Sequence, residues 1–205
     1  MAYLKSTGLI NKVEHPTGHV VQTLSNHDKT EFSFTMQNVG NAYTSNGYGQ
    51  AGTDYTGIDV TITPYSTTNK LFVFGKVSIG YGRGDVYGVM RMRKGGDGSF
   101  ATMTEANCPW HKETSGTPGS GTLVGISLAQ NIDNVASQTG VDIPFGFLDS
   151  PASIAAITYR INFLIQRDTP SPHGNAEVNG NSYNGTDYGN VAGSSFMTVM
   201  EIQAY

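Results

Sequence analysis

Residues 57–79 read Gly-Ile-Asp-Val-Thr-Ile-Thr-Pro-Tyr-Ser-Thr-Thr-Asn-Lys-Leu-Phe-Val-Phe-Gly-Lys-Val-Ser-Ile, a strand, a tight turn and a second strand. Ile58, Val60 and Ile62 alternate with Asp59, Thr61 and Thr63, so an extended backbone carries one apolar and one wet face. Pro64 ends that ladder and the polar run 66–69 turns the chain. Leu71-Phe72-Val73-Phe74 then restarts it with apolar side chains on both faces, the pattern of a strand covered on both sides.

The same period of two recurs outward from this stretch. It predicts strands over 19–24, 32–36, 58–63, 71–79, 86–93, 123–129, 143–148, 157–166 and 196–202. The clearest is 157–166, with Ile157, Tyr159, Ile161, Phe163 and Ile165 on one face and Thr158, Arg160, Asn162 and Gln166 on the other. Nine such segments without a helical period predict an all-β fold, a two-sheet antiparallel β-sandwich of jelly-roll-like type. The connections read as loops over 37–56, 105–121 and 168–193, with Gly80-Tyr-Gly-Arg-Gly-Asp85 as a hairpin loop. Asn46-Gly47, Asn179-Gly180 and Asn184-Gly185 supply the positive φ that tight turns require. Ser150-Pro151 could start one turn of helix near 152–156. Residues 1–17, ending in His15-Pro16-Thr17, show no period and read as an extended anchoring arm ahead of a single domain over 18–205.

Composition narrows the function. Charged residues make up 14% of the 205-residue chain, against ~25% in ordinary soluble domains. Lys and Arg number 12, Asp and Glu 16, and the net charge is −4, so no basic stripe invites nucleic acid. Cys108 is the single cysteine, which excludes an internal disulfide. Neither a membrane-spanning run nor a signal peptide is read, so synthesis in the host cytoplasm without membrane insertion is expected.

Catalytic motifs are not read either. His15, His19 and His27 are close in sequence, yet Pro16 and Gly18 oppose the helix that would bring the first two together on a metal. Gly80–Asp85 lacks the third glycine of a dinucleotide fingerprint, and Gly119-Ser120-Gly121 lacks the frame of a nucleophile elbow. The expectation is a protein that is not an enzyme, with no cofactor and no metal. A long loop on a rigid sandwich is where binding tends to sit. Trp110 and His111 on the 105–121 loop, with Tyr183 and Tyr188 on the 168–193 loop, are the candidate ligand or receptor contacts. Trp110 reads equally as a cap on the core or a subunit contact.

The segment Ile62-Thr-Pro-Tyr-Ser-Thr-Thr-Asn-Lys-Leu-Phe-Val73 resembles one common in short fibre and virion-surface proteins of tailed bacteriophages, especially those of marine and cyanobacterial hosts. Thr158-Tyr-Arg-Ile161, Glu177-Val-Asn-Gly180 and the closing Ser195-Phe-Met-Thr-Val-Met-Glu-Ile202 extend the match in the same order. The resemblance implies a virion protein of tail-fibre or receptor-binding type, attached to other virion proteins through residues 1–17, with loops facing a host-surface glycan. It also implies a homotrimer. Periodicity adds that two strands have no wet face: Phe72 and Phe74 point opposite Leu71 and Val73, and Met197 and Val199 opposite Phe196 and Met200. Phe72, Phe74, Met197 and Val199 are accordingly the candidate subunit interface. The rival readings are a capsid decoration protein, as cement or head fibre, and a stand-alone carbohydrate-binding module.

Overall fold

The computed structural model describes residues 16–33, 37–38, 52–81, 86–96, 98–103, 108, 112–114, 123–130, 139–167, 176–180 and 193–204. They form the strands β1 (Val20–Asp28), β2 (Phe32–Ser33), β3 (Gln37–Asn38), β4 (Thr53–Ile62), β5 (Lys70–Tyr81), β6 (Val86–Gly96) and β7 (Ser99–Thr102). After these come β8 (Lys112–Thr114), β9 (Leu123–Gln130), β10 (Thr139–Asp149), β11 (Ile157–Arg167), β12 (Ala176–Val178) and β13 (Ser195–Ile202). No helix occurs among the described residues.

Two sheets face each other. The first runs β1-β13-β5-β12-β2 with β10 on the other side of β5, and the second runs β3-β11-β6-β9-β8 with β4 beside β11 and β7 beside β6. All pairs are antiparallel except the two-residue β3–β11 ladder. The fold is therefore the all-β two-sheet sandwich that the spacing of apolar residues demands.

Period-two patterning sets the core. Ile58, Val60 and Ile62 of β4, Leu71, Val73, Val77 and Ile79 of β5, and Tyr159, Ile161 and Phe163 of β11 all point between the sheets and are buried. Met90 and Met92 of β6, Phe145 and Phe147 of β10, and Met197 and Val199 of β13 join them. Burying each such side chain is worth about 1.5–3 kcal/mol. Tyr55 also points inward although it lies three residues from Ile58. The β4–β11 register shifts between Tyr159 and Ile161, and this bulge restores the inward phase.

Four expectations are corrected here. The strands on either side of the 63–69 turn do not pair: β4 lies in the second sheet and β5 in the first, so the turn is an arch between sheets. β5 and β6 likewise lie in different sheets, so Gly80–Asp85 does not close a hairpin. The segments read as loops contain strand as well, since β3 and part of β4 fall within 37–56, β8 within 105–121 and β12 within 168–193. These pieces are short or polar, and neighbouring strands rather than their own pattern hold them extended. The possible helical turn near 152–156 is irregular chain, neither helix nor strand, with Ala152 in the left-handed region at φ 50°. Residues 1–15 of the expected arm lie outside the described residues. From Pro16 onward the chain is tied to the closing strand, with Gly18 N donating to Gln203 O at 2.8 Å and Gln203 N to His19 O at 2.9 Å.

Candidate interface

The two outer faces of the sandwich differ in chemistry. On the second sheet Asp54 and Asp59 of β4, Arg91 and Arg93 of β6, and Arg160 and Asn162 of β11 sit outward and satisfy one another. Arg93 Nη1 donates to both oxygens of Asp54 at 2.8 and 3.0 Å, Arg160 Nη2 to Asp59 at 2.5 Å, and Asn162 Nδ2 to Asp54 at 2.6 Å. The Arg160 guanidinium lies 4.0 Å from the ring centroid of Phe100. Burial acts first to push the Asp54 carboxyl up, but the donors Arg93, Asn162 and Arg160 outweigh it and hold the group below its ordinary value. Both carboxylates of this face are engaged within the chain, Asp54 by Arg93 and Arg160 and Asp59 by Arg160.

The first sheet presents an apolar outer face. The register aligns Leu148 of β10 with Phe72 of β5, Phe72 with Met200 of β13, and Met200 with Thr23 of β1. The next row is Gly146, Phe74, Thr198 and Ser25, and the third is Pro144, Lys76, Phe196 and His27. Phe72 and Phe74 stack on each other with centroids 5.1 Å apart. Gly146 leaves room beside them, since a Cβ there would come within 4.0 Å of the Phe72 ring. Leu148 is 53% and Phe72 37% exposed, while Phe74, Phe196, Met200 and Ile202 are half-buried. The rim is polar: Lys76 pairs with Asp142 at 2.7 Å on one side, and Ser25 shares a 2.9 Å hydrogen bond with Thr198 on the other.

The structure separates the residues named from sequence. Phe72 and Phe74 stand on the outer face. Met197 and Val199 do not: both are 0% exposed in the core, so they cannot meet a second subunit. The outward positions of that strand are Phe196 and Met200, and alternation alone leaves open which side of a strand faces the other sheet. Leu148, the most exposed apolar residue of this face, went unnamed because only the β10–β5 register brings it beside Phe72. Trp110, His111, Tyr183 and Tyr188 lie outside the described residues, as does His15. His19 and His27 are exposed, and Cys108 is buried and free of disulfide.

Buried polar groups hold the frame behind this face. Glu201, 0% exposed at the end of β13, accepts hydrogen bonds from Asn69 Nδ2 and Gln22 Nε2 at 2.5 Å each and from Tyr65 N at 2.8 Å. A second network joins Asp28, Tyr55, Asn179 and Ser195: the Tyr55 hydroxyl donates to Asp28 at 2.9 Å, and Ser195 Oγ donates to Asn179 Oδ1 at 2.7 Å. Burial and the adjacent Asp28 carboxylate push the Tyr55 hydroxyl up, so it stays a donor. Asn179 sits at φ 58°, as the Asn-Gly turn at 179–180 requires. A third bridge crosses between the sheets, where Asp149 accepts from Lys94 Nζ at 2.8 Å and from the Tyr159 hydroxyl at 2.6 Å.

Among the described residues no cluster of three His, Cys, Asp or Glu could hold a metal, and no helix is long and apolar enough to cross a membrane. What fold and surface define is an all-β sandwich with one self-satisfied polar face and one apolar face. No protein-family model and no curated protein matches the chain. Among solved structures it is similar to that of the infectious bursal disease virus Gt strain, at 14% identity and a TM-score of 0.40, over 98% of this chain and 43% of that one. The infectious bursal disease virus VP2 subviral particle gives 13% identity and a TM-score of 0.34, over 98% of this chain and 46% of that one. This chain thus spans less than half the length of either. At such scores the capsid proteins' properties stay their own.

Proposed function

We propose that the chain is a non-enzymatic structural protein of a virion surface, of the tail-fibre or receptor-binding type that its sequence resembles in tailed phages. In this reading it works as a homotrimer, residues 1–17 attach it to other virion proteins, and its long loops meet a host-surface glycan. The observation that carries the reading is the outer face of the first sheet. A sandwich with its own complete core still leaves Leu148, Phe72, Phe74, Phe196 and Met200 on one outer face, as a module built into a larger assembly does. The polar face on the opposite side of the sandwich, with carboxylates already engaged by arginines, supports a structural rather than a catalytic role.

Localisation by labelled antibody on intact particles tests this directly. Label at the tail tip, together with loss of adsorption when Trp110, Tyr183 and Tyr188 are changed to Ala, is the expected result. Label over the capsid, with normal adsorption and fragile particles on loss of the protein, would assign it to capsid decoration. A glycan array with the isolated protein separates both from a free-standing carbohydrate-binding module, which binds a defined sugar without any particle.

A further inference from the structure

We infer that the end of the sandwich at which the described chain enters is a docking seat for the virion protein that receives residues 1–17, centred on Tyr65 and Ile154 and fitted to an uncharged, apolar protein surface. The inference rests on the attachment reading above and adds the surface and the chemistry of its partner.

Register fixes which groups share this end. Val20 pairs with Ile202, Ile202 with Lys70 and Leu71 with Asp149 in the first sheet, and Ile62 pairs with Ile157 in the second. The arch 63–69 and the connection 150–156 therefore lie side by side, tied where Lys70 Nζ donates to Ser150 Oγ at 2.7 Å. Gly18, bonded to Gln203, brings the chain in at the same end. The connections from β3 to β4, β9 to β10, β11 to β12 and β12 to β13 leave from strand ends at the opposite one.

Apolar exposure is concentrated here. Of seven exposed large hydrophobic side chains among the described residues, Tyr65, Ile154, Leu148, Val20 and Phe72 lie on this end's connections or within three residues of a strand terminus there. Tyr65 at 72% and Ile154 at 61% are the most exposed of all. Scattered apolar residues need no partner, but a cluster at one end marks a contact. Charge is absent from the same surface. Residues 63–69 and 150–156 include no charged residue, Lys94 is paired with Asp149, and Glu201 holds the arch from inside. Depletion of charge around an exposed tyrosine is the composition of an interface centre, and it offers nothing to an anionic nucleic acid or lipid. A sugar is a poor fit as well. It needs free polar partners beside the ring, whereas the Asn69 and Gln22 amides are bound to Glu201, Ser66 Oγ to Thr68, and Ser153 Oγ to the Ala155 amide. These bonds also hold the two connections in place before any partner arrives, which lowers the ordering cost of docking. Continuity selects the occupant: a protein that binds the arm is brought against this end by the arm itself.

Particles assembled without this chain, then supplied with the purified full chain, test the seat. Tyr65→Asp and Ile154→Asp, with the arm intact, should each weaken retention on particles by about tenfold or more while circular dichroism and mass in solution stay unchanged. Val141→Asp, exposed near the opposite end, should be retained like the parent chain. A parent chain that joins particles while both variants join equally well would overturn the seat and leave the arm's role standing. A parent chain that never joins particles would sink the virion reading and the seat together. Loss of oligomer mass in either variant, or glycan binding abolished by Tyr65→Ala, would give this end a different occupant and overturn the proposal.

Discussion

At the scale of single residues, buried polar groups decide which contacts the fold insists on. The three donors on Glu201 come from β1, from the arch after β4 and from the residue preceding β5, so one carboxylate gathers three elements where the chain crosses between sheets. The Asn69–Glu201 contact, at 2.5 Å, joins positions 132 residues apart in the chain. Glu201→Ala leaves the Tyr65 amide and the Asn69 side-chain amide without this acceptor, while Gln22 Nε2 keeps Thr63 O at 2.9 Å, and a loss of about 3 kcal/mol in urea unfolding is expected. Asp54 contributes to the acid response, as do Asp28 and Asp142, whose carboxyls are also held low. The Asp54 carboxyl is held below the ordinary value of 3.8, so the stability it contributes is complete above that pH and is lost as the pH falls through the lowered value. Asp54→Asn removes this linkage. The variant should be less stable at neutral pH and show a shallower fall in stability below pH 4, read from thermal midpoints across an acid series.

At the scale of elements, two glycines on neighbouring strands have opposite meanings. Gly75 of β5 faces Phe145 of β10 in register, and a Cβ there would stand 2.7 Å from the Phe145 ring and collide with the Phe196 carbonyl. Gly75→Ala should therefore destabilise the domain by about 3 kcal/mol, because neither a backbone carbonyl nor a packed ring can retreat. Gly146, one residue on and outward, would place its Cβ 3.6 Å from Phe74 Cβ, an ordinary contact. Gly146→Ala should leave the thermal midpoint nearly unchanged, within the about 0.5 kcal/mol typical of surface changes. The arch is the other lesson here. Pro64 and the polar run after it read correctly as a turn, but whether the chain returns beside its own strand or into the opposite sheet depends on what the new strand can pair with. For β5 the partners are β10, β12 and β13, all distant in sequence.

At the scale of the whole molecule, inward and outward positions of one strand carry different duties. Val199→Ala removes two methyl groups from a fully buried site and should lower stability by about 2 kcal/mol whatever the state of assembly. Changes at Met200, on the other side of the same strand, should act on association first. Removing residues 1–17 should leave the circular dichroism of a folded sandwich and abolish incorporation into particles. A truncated chain that still joins particles would deny the arm its anchoring role.

The all-β class, eight of the strand cores and the inward sets of β4 and β11 were legible because a period of two in apolar residues is a local property that each segment carries by itself. The special backbone at Asn179 was legible for the same reason, since an Asn-Gly step needs no neighbour to declare its turn. Tertiary structure alone decided the rest. It sent β5 to the sheet opposite β4, chose Phe196 and Met200 over Met197 and Val199 as the outward pair, brought Leu148 beside Phe72 and closed Asn69 on Glu201. Each of these depends on a register between segments far apart in the chain, and alternation states that a strand has two faces without stating which one meets the core.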